Sequence, residues 1–433
     1  MPHPLHVLVI GYVWPEPRSS AAGGHMMQLL EAFLAQGWRI TFASPAKVGE
    51  HKADLATLGI SEAPIQLNDS SFDTFVGQLQ PDVVLFDRFM MEEQFGWRVE
   101  KHCPHALRVL ETSDLQSLRD ARQALLKERL KLAPDNHDFS SSFAASQDEL
   151  FGYMAERDIT QREIAAIYRC DLSLMISPAE IELLTQRFAV PAALLLWCPL
   201  MVDSQRPAAP GFAERAHFLS IGNFRHAPNW DAVLWMKNTL WPLIRQRLPQ
   251  AQLHVYGAYT PPKATALHNA AQGFYVKGWA EDALEVMAAS RIALAPLRFG
   301  AGIKGKLLDA MLCGTPSVTT PVGAEGMCAP ETWPGAVHNS AHALAEAAVS
   351  LYSDERCWAQ AQARGYALLD ERFSFAQHAP ALTGLIQSLR ANLAAHRRAN
   401  FTGSMLRHHQ HKSTQYFGQW IEAKNRSSFS MDP

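Results

Sequence analysis

The sequence predicts an α/β protein of two doubly wound, parallel-sheet domains facing each other across a cleft. Three observations predict it. The 433 residues exceed one typical domain, which spans about 100–200 residues. Apolar runs of strand length alternate with helical patterns through two successive stretches of the chain, as parallel sheets covered on both faces require. In both stretches the predicted strands end in Gly- or Pro-bearing loops, and open parallel sheets hold ligands outside those ends.

The first stretch opens on Leu5–Gly11, a continuous apolar run that suits a strand buried on both faces. A loop rich in Pro, Ser and Gly runs from Tyr12 to Gly24, and a helix follows with Met26, Leu29, Leu30, Phe33 and Leu34 on one stripe and Gly37 at its end. Trp38–Ser44, Pro81–Phe86 and His105–Leu110 read as further strands, with a helix near Ser71–Leu79. Asp120–Ile167 reads as mainly helical, broken near Pro134–Ser142. Asp171–Ile176 is a strand, Ser177-Pro178 starts a helix, and the prolines at 199, 207 and 210 mark a linker.

The second stretch repeats the design. His217–Ile221, Gln252–Tyr256, Phe274–Lys277, Ile292–Ala295 and Ser317–Thr319 are the strands, and Asp231–Leu248 and Ile303–Cys313 the main helices, the latter closed by Gly314 and Pro316. The expected boundaries are 1–208 for the first domain, 209–375 for the second, and 376–433 for a segment returning to the first. In that segment Leu382, Leu385, Ile386, Leu389 and Leu393 form one apolar face that must dock. The stretch His396–Asn425 is basic and histidine-rich, and disorder is expected from Ser427 onward.

Composition excludes some classes. A net charge of −3 gives no basic field for nucleic acid. The six cysteines are scattered without a C-x-x-C pair, which suits reduced thiols better than disulfides or a zinc site. No apolar stretch reaches the ~18 residues of a membrane span, and the opening apolar run is short for a secretory signal. A cytoplasmic protein is expected, with peripheral contact at the inner membrane face as an alternative.

The chemistry concentrates between Pro296 and Val318. Gly300, Gly302 and Gly305 let backbone approach a ligand closely, Ala301 and Ile303 lie between them, and Lys304 and Lys306 add positive charge where a helix begins. Unpaired N–H groups and the positive dipole end of that helix suit a phosphate. Asp309, one to two turns in, can accept hydrogen bonds from a vicinal diol. The alternative is a glycine loop leading into an ordinary core helix with two solvated lysines.

The run Leu308-Asp309-Ala310-Met311-Leu312-Cys313-Gly314-Thr315-Pro316-Ser317-Val318, followed by Gly323-Ala324-Glu325-Gly326, resembles the signature of retaining GT-B glycosyltransferases of the family 4 (group 1) type. Weaker resemblance extends over residues 5–375, at the opening strand with its Gly-Gly pair, Ile221-Gly222-Asn223, Val276-Lys277-Gly278-Trp279 and Ser177-Pro178-Ala179-Glu180. The resemblance implies a GT-B fold and a nucleotide-sugar donor, UDP- or GDP-linked, with no metal or other cofactor. It implies that Asp309 binds the nucleotide ribose and that Gly278 and Trp279 stand in the loop whose backbone reads the base. It places Gly23 and Gly24 in a loop closing on the donor, and Gly222 near the phosphates.

Three features depart from the family. Ala301 stands where a second acid normally touches the transferred sugar. Asn223 and Asn229 occupy the neighbourhood of an Arg and a Lys that hold the diphosphate, so Lys304 is the expected replacement, with Lys306 and Arg225 as further cations. The strand end Glu111–Arg119 lacks the usual histidine, which leaves Asp114 as the nearest polar candidate beside Lys304 for a catalytic role. Capping of the next helix is an equal reading of Asp114.

Elsewhere, His408, His409 and His411 suggest a metal site less well than a basic surface segment. Asp87 and Arg88 face an acceptor or pair with each other, Trp14 lines the cleft or packs, and His25 and His226 follow glycine-bearing loops. The expected activity is transfer of a hexose-type sugar, with retention, to a glycan or lipid-linked acceptor in glycoconjugate or surface-polysaccharide synthesis. A nucleotide-sugar epimerase and a non-catalytic binding subunit of the same fold are the alternatives.

Overall fold

A computed structural model describes residues 4–132, 145–203, 206 and 209–429. The first sheet contains β1 (His6–Ile10), β2 (Arg39–Ser44), β3 (Ser61–Pro64), β4 (Val83–Asp87), β5 (Leu107–Glu111), β6 (Leu172–Met175) and β7 (Leu195–Trp197), ordered β3-β2-β1-β4-β5-β6-β7. The second contains β8 (Ala216–Ile221), β9 (Leu253–Tyr256), β10 (Phe274–Gly278), β11 (Ser290–Ala295), β12 (Ser317–Thr319) and β13 (Gly335–Val337), ordered β10-β9-β8-β11-β12-β13. All pairings are parallel. Each sheet reverses its strand order once, between β1 and β4 and between β8 and β11, and such switch points open a crevice at the strand C-termini.

The central strands are buried because their apolar side chains alternate between two cores. Leu8, Ile10, Val84 and Phe86 enter one core of the first domain, while Val7, Val9, Val83 and Leu85 enter the other. Phe218, Leu253, Val255, Ile292 and Leu294 build the main core of the second domain against Trp241 and Leu344.

Several boundaries differ from the sequence reading. The first helix spans Ala21–Leu34, so Gly23 and Gly24 lie inside its first turns rather than in a loop. Ser20 caps it by accepting from Gly23 N, and a Cβ at Gly23 would meet Glu16 O at 2.4 Å. The helix expected over Asp231–Leu248 starts at Ala227, with Pro228 in its first turn, and widens into a π-turn at Met236–Leu240 before resuming at Trp241–Arg247. The helical stretch after β5 divides into Gln116–Leu132, Gln147–Ala155 and Asp158–Arg169. The predicted break at Pro134–Ser142 lies outside the described residues.

The chain crosses between the domains twice, side by side. Val202 N donates to Phe373 O at 2.6 Å and Phe375 N donates to Val202 O at 2.9 Å. Past the second crossing, the helix Phe375–Ala391 buries Ala379, Leu382 and Ile386 in the same core as Leu29, Leu30 and Phe33. The His396–Asn425 stretch is helical and lies along the first domain. Helices Leu393–Ala399 and Phe401–Leu406 lead through a π-turn into Lys412–Phe429, so residues 427–429 are helical rather than disordered, and 430–433 lie outside the described residues. No described helix is long and apolar enough to cross a membrane.

Candidate functional site

Between the C-terminal edges of the two sheets lies a cavity of about 1260 Å³. Two helix N-termini meet in it. The helix Gly305–Leu312 starts from the second domain and the helix Ala21–Leu34 from the first, and a Cβ added to Gly305 would sit 2.6 Å from Ala21 Cβ. Each first turn leaves N–H groups without helical partners, and the two dipole ends add to one positive field.

The helix expected from Ile303 begins at Gly305, with Lys304 in extended backbone just before it. That extension turns the Lys304 ammonium back on its own loop, where it donates to Ala301 O at 3.1 Å and to Gly302 O. Lys306 projects the other way. Its Nζ donates to Asn229 Oδ1 at 2.6 Å, and a Cβ at Gly222 would meet that Nζ at 2.8 Å. Lys306 therefore brings a cation from the 305–312 helix to the end of β8, where the sequence carries Asn223 and Asn229. Burial lowers both lysines from their ordinary value, Lys304 to about 8 and Lys306 to about 7, the latter also through its charged neighbour.

Asp309 lines the cavity one turn further, and burial pushes its carboxyl up to about 7. Gly24, Gly222, Arg225, Trp279, Gly300, Ala301 and Ile303 also line it, as does Asp114. Gly23, Gly278 and Gly302 do not; Gly278 closes β10 with φ +79° and its carbonyl accepts from Gly257 N at 2.8 Å. Arg225 sits on the rim, its guanidinium 3.7 Å from the Tyr259 ring centroid. One face of Trp279 is already covered by His51 of the first domain, the rings stacked at 4.1 Å.

Gly302 must be glycine. Its φ is +65°, and a Cβ there would lie 2.9 Å from both Asp114 Cβ and Ile176 Cγ2. The donor-side loop thus presses against the loop that carries Asp114. Asp114 itself pairs with Arg119. It does not cap the next helix, since Gln116 N and Ser117 N donate to Glu163, both at 2.9 Å.

The residues that clamp this approach were not evident from the sequence. Glu180 Oε1 accepts from Leu115 N and Gly302 N, both at 2.8 Å, and so ties one loop of each domain to a single carboxyl. Arg122 donates to both oxygens of Glu325, at 2.8 and 2.6 Å, and to Gly300 O at 2.8 Å. Ser177-Pro-Ala-Glu180 and Gly323-Ala-Glu325-Gly326 stood out as segments, but no sequence spacing pairs them with residues across the cleft.

Burial, then the negative charge of Asp114, push the Glu180 carboxyl up to about 8. That is above its ordinary 4.5, so the native state holds an extra proton between these values and stability falls as pH rises through them. Glu180→Gln is expected to keep an acceptor for both N–H groups and to flatten that fall. Urea unfolding at several pH values from about 5 to 8 measures it, and a constant gap between the two proteins would overturn the assignment.

The remaining candidates divide. Trp14 packs on Phe42 and donates to Ala46 O at 2.9 Å, which is the packing reading. His25 is buried against Glu111 at 3.2 Å, away from the cavity lining, whereas His226 lines it. Asp87 accepts from Tyr12 N at 3.0 Å, and Arg88 lies on the cavity wall. His411 is buried between Glu92 and Glu100, while His408 and His409 are exposed. No cluster of three or more metal-ligating side chains occurs among the described residues.

Comparison with known proteins accords with this architecture. Residues 215–354 match a family model described as glycosyl transferases group 1. The structure of Anabaena HepE with UDP and glucose superposes with a TM-score of 0.63 at 15% identity, covering 89% of this chain and 100% of that one. The fold is GT-B. Sucrose-phosphate synthase from Thermosynechococcus elongatus superposes at 0.62 with 17% identity over 89% and 99% of the two chains. The lipopolysaccharide outer core galactosyltransferase WaaB gives 0.56 at 14% identity over 89% and 99%. No curated protein matches by sequence. The matched segment is the GT-B domain that carries Lys304, Lys306 and Asp309, and family match and fold together support glycosyl transfer.

Proposed function

We propose that the protein transfers a sugar from a nucleotide-sugar donor to a glycan or lipid-linked acceptor, with retention of configuration and without a metal. The observation that carries this reading is the meeting of two helix N-termini with Lys306 and Lys304 beside Asp309 in one interdomain cavity. The donor diphosphate would lie against the 305–312 helix start, with Lys306 as its first cation and Lys304 bracing the loop. Breaking the bond from sugar to diphosphate builds negative charge on the leaving oxygen, which fixed cations and N–H dipoles stabilise. Asp309 would take the ribose diol, and Trp279 would offer the base its open side. Asp114, pressed against the donor loop, would face the acceptor. HepE has been solved with UDP and with UDP-glucose, which favours a UDP-linked hexose here and a role in glycoconjugate assembly.

A panel of UDP- and GDP-sugars tests the reading through release of nucleoside diphosphate. Release that requires an acceptor supports transfer, donor isomerisation without acceptor supports an epimerase, and binding without either supports a binding subunit. Within the panel, Asp309→Asn is expected to weaken the donor by about 10–100-fold, the value of hydrogen bonds to a charged group. Because the Asp309 carboxyl titrates near 7, that ratio should grow as pH rises through neutrality. A ratio near one at pH 8 would remove Asp309 from the donor site.

A further inference from the structure

We propose that the outer face of helix 401–429 is a docking surface for an anionic lipid bilayer. Phe401, Met405, Tyr416, Phe417 and Trp420 are 69%, 46%, 66%, 61% and 58% exposed. Positions 401 and 405 are helical neighbours flanking buried Gly403, and 416 and 420 are neighbours flanking buried Gly418, so both pairs lie on the side away from the first domain. The inner face is already fastened to the first domain. Gly403 packs under Tyr168 O, His411 sits between Glu92 and Glu100, and Glu422 accepts from Ser70 Oγ at 2.6 Å. The aromatic stripe is therefore surplus to the helix's own docking.

Charge chooses the occupant. From Leu393 to Phe429 the chain carries six Lys and Arg residues and a single acid, Glu422. Arg397 and Arg407 pair inward with Asp171 and Glu100, and Arg398, Lys412, Lys424 and Arg426 remain exposed. Glu422 is held by Ser70 and Arg426. Arg398 and Lys412 are exposed with His408 and His409, and the Lys424 ammonium lies 5.4 Å from the Trp420 ring centroid. Aromatic rings beside long-stemmed cations suit the headgroup layer, where rings enter the acyl boundary and ammonium groups reach lipid phosphates. A second copy of the chain would set this basic stripe against itself, which like charges oppose. An anionic leaflet complements it. From Arg397, which pairs with Asp171 just before β6, the returning segment runs through this helix to Glu422, which accepts from Ser70 in the loop past β3. It therefore spans the first domain towards its cleft edge, and that domain would rest flank-on against the bilayer.

Flotation with phosphatidylcholine vesicles, with and without phosphatidylglycerol, tests this without any sugar donor, so its outcome is separate from the glycosyl-transfer reading. The chain should float with the anionic vesicles only and detach at high salt. The triple variant Y416S/F417S/W420S, altered only at exposed positions, should reduce the floated fraction about tenfold or more, since each buried apolar group adds to binding. Lys412→Glu should reduce it separately, and circular dichroism should remain unchanged for both. Absence of flotation, equal flotation with both vesicles, or a concentration-dependent dimer abolished by the triple variant would each overturn the proposal.

Discussion

Lys306→Met is expected to lower turnover of the nucleotide sugar by about 10²–10³-fold, the usual effect of removing one preorganised stabiliser of developing charge. The substitution keeps the stem that packs in the cavity and removes the only cation bonded to Asn229 among the described residues. Lys304→Met should be as damaging for a different reason. Its ammonium braces the carbonyls of Ala301 and Gly302, so its loss loosens the loop and leaves it tied only through Gly302 N to Glu180 and Gly300 O to Arg122 among these bonds. The two variants are separable. Lys306→Met should depress kcat with a modest change in KM, whereas Lys304→Met should change both. In the Asp309→Asn background, binding of a nucleoside diphosphate should also weaken as pH rises from about 6 to 9, through about 7 for Lys306 and about 8 for Lys304, and each lysine variant should shrink that slope. A change in kcat below about threefold for Lys306→Met would move the diphosphate elsewhere.

The second large effect is on stability. Arg169 and Glu92 form an ion pair with side chains only 1% and 2% exposed, and Arg169 also donates to Gln410 of the returning segment. Arg169→Leu leaves Glu92 buried beside His411 alone, and breaking such a pair costs about 3–5 kcal/mol. Burial opposes the Glu92 charge, but Arg169 and His411 hold its carboxyl down to about 2. A depressed carboxyl contributes fully above its unfolded value of 4.5 and loses that contribution as pH falls towards 2. The gap between wild type and variant in denaturant unfolding should therefore be wide at neutral pH and narrow in acid. A gap under about 1 kcal/mol at pH 7 would mean that the pair is bystander chemistry.

The sequence was legible where burial on both sides writes a continuous apolar run. β1, β4, β5 and β6 were placed within a residue or two for that reason, and β2, β8, β9, β10, β11 and β12 as closely from shorter or mixed runs closed by a nearby Gly or Pro. β3, β7 and β13 were not seen, because they lie at sheet edges and are three or four residues long. Ser61–Pro64 is largely exposed and carries no strand pattern at all. The donor-side glycine turn was legible through its spacing. What closes it was not, since Arg122 and Glu325, or Glu180 and Gly302, are brought together only by the packing of two domains. The helix start at Ala21 was misplaced because a Gly-Gly pair reads as loop; here Gly23 serves close packing against Glu16 instead.

The docking of helix 375–391 on helix 21–34 has a consequence for how the molecule is made. The first domain's core includes Ala379, Leu382 and Ile386, which leave the ribosome long after Leu29 and Phe33. During synthesis the early domain must wait with an apolar flank uncovered while the whole second domain is produced. Such waiting surfaces recruit chaperones and aggregate when concentrated. The chain that emerges first is thus finished last, and a nascent fragment ending near residue 203 should be less soluble than the complete protein.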